Sequence, residues 1–94
     1  MALARVVTFD RVSKERIDQL TREIREGGRP DDIPATEIIL LHDPVGETSL
    51  AIVFFDNEDD YRRGDATLAA MPTDETPGSR RSVDKYSVAL RMTV

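Results

Sequence analysis

Two hydrophobic periods succeed one another along this chain, and the switches between them mark out six elements. Residues 5–9, RVVTF, are short and β-branched and predict a first strand. From residue 13 the period lengthens: Ile17, Leu20 and Ile24 recur at helical spacing with charged residues between them. Ser13 is placed to cap this helix, its hydroxyl accepting from a free N–H of the first turn, while Val12 and Ile17 are spaced for a hydrophobic staple. Gly27-Gly28 supplies a left-handed stop.

Residues 29–34, RPDDIP, read as a connection, because a second strand, residues 36–42, follows at once. Residues 43–48, DPVGET, hold proline and glycine at turn-compatible spacing and join that strand to a third, residues 50–55, as a hairpin. Asp56 or Asn57 caps a second helix, and Glu58, Asp59 and Asp60 put negative charge at its positive end. Tyr61, Leu68 and Met71 form its inner stripe. Gly64 falls on the same stripe at a cost of about 1 kcal/mol relative to alanine, which points to a close approach of helix to sheet. Residues 72–81, PTDETPGSRR, predict a mobile loop, and residues 83–93 a last strand. In that strand Tyr86, Val88, Leu90 and Met92 alternate with Ser87, Ala89, Arg91 and Thr93, and Tyr86 is expected in the core.

The order β-α-β-β-α-β over 94 residues predicts one α+β domain on the ferredoxin-like plan: a four-stranded antiparallel sheet with both helices on one face. One feature is left over. Residues 38–41 and 50–55 are apolar at both parities, whereas a sheet face open to water is polar at every second position. If Ala51, Val53 and Phe55 pack inward, Leu50, Ile52 and Phe54 point away from the helices. Burial of such side chains is worth roughly 1.5–3 kcal/mol each, so a cover is expected.

RNA is a poor cover. Residues 49–60, SLAIVFFDNEDD, resemble the third strand of an RNA recognition motif, but that match puts Leu50 and Ile52 where bases stack and Thr48 at the basic position. The net charge of −5 repels a phosphate backbone, and the basic pairs Arg62-Arg63 and Arg80-Arg81 have acids nearby. A second copy fits better, since two sheets packed face to face bury both leftover sets in one symmetric contact.

Nearly the whole chain, from RVVTF through LLHDPVGETSLAIVFF to KYSVALRM, resembles the dimeric α+β barrel superfamily, which includes antibiotic-biosynthesis-type monooxygenases, small isomerases and stress-responsive barrels. The resemblance implies a homodimer joined through the sheets, with Leu50, Ile52 and Phe54 at the interface. It also implies a small-molecule cavity between sheet and helices or within the barrel.

Composition narrows the chemistry. With no cysteine there is no disulfide, thiolate metal site or cysteine nucleophile. No apolar run approaches 18 residues and the N-terminus lacks a signal-peptide pattern, so a cytoplasmic protein without a membrane span is expected. The single histidine, His42, followed by Asp43, is a candidate base or ligand, set against a strand-end histidine half in solvent. Arg91 is a candidate for binding an anion, set against a rim ion pair, and Thr8 is a candidate to line the same space. No metal-ligand spacing, EF-hand loop, nucleophile elbow or phosphate loop occurs, so no metal or cofactor is expected. The chain has no tryptophan, and its one asparagine, Asn57, serves as a cap. Both depart from cofactor-independent monooxygenases of the resembled superfamily. The expected function is small-molecule binding without a catalytic centre. The alternatives are a cofactor-independent monooxygenase or isomerase using His42 or Arg91, and a structural or protein-interaction module.

Overall fold

In the computed structural model, which describes residues 1–27, 33–72 and 76–94, the chain runs β1 (Leu3–Asp10), α1 (Lys14–Gly27), β2 (Glu37–Asp43), β3 (Thr48–Phe55), α2 (Glu58–Ala69) and β4 (Ser79–Ser87). The four strands form one antiparallel sheet in the order β2-β3-β1-β4. The fold is ferredoxin-like α+β.

Local chemistry sets the element boundaries. The Arg16 N–H donates to Ser13 Oγ at 3.1 Å, which caps α1, and Val12 and Ile17 meet in one buried cluster as a staple requires. Asn57, in extended backbone, accepts from the Asp60 N–H at 2.8 Å and starts α2. In the hairpin, Asp43 Oδ1 accepts from the N–H groups of Val45 and Gly46 at 3.1 and 3.2 Å. This turn built on an aspartate starts the reversal within the four residues, 44–47, that separate the strands. The connection over residues 29–34 lies mostly outside the described residues; Ile33, at its end, is buried.

The strand register decides which side chains meet the helices. Arg5 pairs with Val53 and Val7 with Ala51, so Leu3, Arg5, Val7 and Phe9 share a face with Ala51, Val53 and Phe55. Ile38, opposite Val53, puts Leu40 and His42 on that face too. Both helices lie there, because Val7 and Phe9 cluster with Ile17 of α1 while Leu3 and Phe55 cluster with Tyr61 of α2. Gly64 lets α2 come down onto β3: a Cβ at that position would lie 2.3 and 2.4 Å from Cε1 and Cζ of the fully buried Phe55 ring.

Two expectations need correction. The last strand spans Ser79–Ser87, shifted toward the N-terminus of the expected 83–93. Among the described residues β4 is an edge strand paired with β1, which reaches Leu3 opposite Ser87. One further bond joins the Val88 N–H to the Ala2 carbonyl, and the ladder then stops, whatever the alternation beyond it. At the other end Ser79 and Arg80 already pair with Asp10 and Phe9, so the expected loop is shorter; its residues 73–75 lie outside the described ones. Tyr86 is 56% exposed instead of buried: opposite Ala4, it lies on the face away from the helices.

Candidate functional site

The buried side chains divide into two clusters. Leu3, Ile33, Ala35, Val53, Phe55 and Tyr61 form one, and Val7, Phe9, Val12 and Ile17 the other. The space between them is not filled. A cavity of about 170 Å³ lies between sheet and helices, bordered by Val7 and Val53 below and by Leu20, Ile24 and Leu68 above. It reaches from Ile38 on the edge strand β2 to Arg80 on the opposite edge strand β4. Its wall is apolar except for Arg5, Thr76 and Arg80 among the described residues.

Arg5 is the unusual member. It follows from the register that a residue two before Val7 points at the helices, and the Arg5 side chain is 4% exposed. Its Nε donates to Oδ1 of Asp65 on α2 at 2.8 Å, while one Nη, also buried, has no hydrogen-bond partner among the described residues. A guanidinium presents a planar fork that matches a carboxylate through two parallel bonds. Here only one tine is engaged by Asp65. The neighbouring cation does not share this state: Lys85, opposite Arg5 in the sheet, pairs with Glu58 at 2.5 Å and lies 4.9 Å from the centroid of the Tyr61 ring. Burial, followed by the charge of Asp65, raises the Tyr61 phenol above its ordinary pKa of 10.0; Arg5 and Lys85 oppose that rise.

The residues singled out in the sequence do not converge. His42 lies on the helix side at the end of β2, and its Nε2 donates to the Val12 carbonyl at 2.9 Å, so that nitrogen carries a proton. Together with the Val12 N–H donating to the Glu47 carbonyl at 2.7 Å, this bond ties the β1–α1 turn to the hairpin. Both sides of the tie contain a non-glycine residue with positive φ, Arg11 at 60° and Glu47 at 54°. Strain of that kind persists only where the surroundings hold it.

Thr8 sits on the other side of the sheet, facing away from the helices, opposite Leu50 on β3 and Ser82 on β4. Leu50, Ile52 and Phe54 are on that same face, each half-buried. Arg91, in the irregular segment after β4, pairs with Glu37 and places its guanidinium 4.1 Å from the centroid of the Phe54 ring. His42 and Arg91 thus belong to opposite faces of the sheet.

Arg5 and Asp65 were missed by the sequence reading, although a signal existed. Arg5 has the parity of Val7 and Phe9, which are apolar and inward; an ionic residue at such a position is buried and needs a partner. Asp65 follows Tyr61 by four residues on the inner stripe of α2, where such a partner would stand.

Among the described residues no group of three or more His, Asp or Glu is arranged to hold a metal ion, and no helix is long and apolar enough to cross a membrane. Comparison with known proteins returned no family model that matches the chain and no curated protein similar to it.

Proposed function

We propose that this chain is a small-molecule-binding protein of the dimeric α+β barrel kind, with its ligand held between the sheet and the two helices. The apolar cavity of about 170 Å³ carries the reading. An engineered apolar cavity of about 150 Å³ takes up benzene, so this volume suits a compact molecule of similar size or slightly larger. An unfilled space of this kind is costly. At about 24 cal/mol per Å³ it forgoes on the order of 4 kcal/mol, a large part of a small domain's stability, with the figure an upper bound because the cavity opens at the edges of the sheet. A ligand recovers that loss, whereas a purely structural module gains nothing from it.

Binding is favoured over catalysis by the same wall. The polar residues of the wall among the described ones, Arg5, Thr76 and Arg80, include no general acid–base pair, and His42 is engaged by Val12. Assembly through the other face is supported by Val6, Leu50, Ile52 and Phe54 lying together there, with Leu41 beside them 48% exposed.

The test is light scattering combined with native mass spectrometry on protein as purified and after incubation with benzene. A dimer whose melting temperature rises with benzene supports the proposal. A monomer unaffected by saturating benzene contradicts it.

A further inference from the structure

Resting on the reading of the cavity as a binding site, we infer that its ligand is an organic monocarboxylate with a compact apolar body, seated with its carboxylate on Arg5. Three observations combine. The Arg5 side chain is 4% exposed and lines the cavity, and one of its buried Nη groups has no partner among the described residues. Asp65, its one ion-pair partner among the described residues, engages Nε and is itself 43% exposed, so it does not meet the buried Nη. Arg80, at the far edge of the same cavity, adds a second cation; it donates to the Leu68 carbonyl at 3.3 Å and has no acid on it in the described contacts. Among the described residues, Arg5 and Arg80 are the charged groups that line the cavity, and both are cations.

A carboxylate meets this arrangement when the buried, unpartnered Nη turns from its covered position into the cavity, in a place where low dielectric strengthens the bond. A phosphate would bring a second charge and more polar oxygens into a space otherwise walled by Val7, Leu20, Ile24, Val53 and Leu68. The volume holds a body of about the size of a benzene ring.

Calorimetric titration with benzoate, its neutral analogue benzamide, and benzene tests the assignment. Benzoate should bind the wild-type chain about tenfold or more tightly than benzamide at neutral pH, as a charge-assisted bond replaces a neutral one. In Arg5→Met that preference should fall below about threefold while benzene still binds. If Arg5→Met fails to fold, Arg5→Lys, which keeps the charge without the fork, should weaken benzoate by about tenfold and benzamide far less. Equal binding of benzoate and benzamide by the wild-type chain would overturn the carboxylate assignment and leave the cavity reading standing. Failure of all three compounds to bind would remove both.

Discussion

The ring of Phe55 lies against the backbone of Gly64, so close that a Cβ there would come within 2.3 Å of Cε1. Gly64→Ala gains about 1 kcal/mol of helix propensity but must lift α2 off β3 or turn the Phe55 ring, at about 1–3 kcal/mol. The variant is expected to be less stable by up to about 2 kcal/mol, the overpacking outweighing the propensity. Urea denaturation measures it, and Phe55→Leu in the same chain should return part of the loss. A stabilised Gly64→Ala would mean that α2 does not seat on the ring.

Asp65→Asn removes the carboxylate that pairs with Arg5 Nε. Breaking a fully buried pair costs about 3–5 kcal/mol; because Asp65 is 43% exposed, water screens this one and about 2–3 kcal/mol is expected. The exposed pair Lys14–Asp18 on α1 gives the contrast: Asp18→Asn should leave stability almost unchanged. Chemical denaturation of the two variants side by side checks both. Equal, small effects would show that Arg5 does not depend on Asp65.

The raised Tyr61 phenol makes a pH prediction. The folded chain holds this proton more tightly than the unfolded one, so above pH 10 folding retains a proton that the unfolded state has lost, and stability falls as pH rises. The contribution is complete below the unfolded phenol's pKa and disappears as pH climbs through the folded value. Melting temperatures of the wild-type chain and Tyr61→Phe, measured from neutral to strongly alkaline pH, should converge or cross as the wild type loses this stability. Parallel curves would contradict the assignment.

Ile52→Lys puts a charge in the middle of the face turned away from the helices. If that face is covered by a second copy, the variant should run as a monomer in light scattering or lose cooperative unfolding altogether. A chain that is monomeric and equally stable before and after the change contradicts the proposed dimer.

Much of this architecture can be read from residue patterns because the interactions that set it are local. Ser13 and Asn57 cap the helices they precede in sequence, and Gly64 stands out as a helix-breaking residue on an apolar stripe. Features that depend on neighbours distant in sequence are harder to read. The end of β4 follows from where β1 stops pairing, so the alternation through Tyr86, Val88 and Leu90 continues past the ladder that would make it a strand. Arg91 shows the same limit: its place over Phe54 depends on the path of the chain after Ser87. The cavity itself is a property of how far apart the helices and sheet stand. Its one sequence trace is Arg5, an ionic residue at the parity of a buried strand face.

The most direct test of binding in the helix–sheet cavity is a methyl NMR titration of Ile-, Leu- and Val-labelled protein with benzoate. Binding there should move the methyl signals of Val7, Leu20, Ile24, Val53 and Leu68 and leave Leu50 and Ile52, on the other face, in place. Shifts confined to Leu50 and Ile52, or no shifts at saturating benzoate, would contradict it.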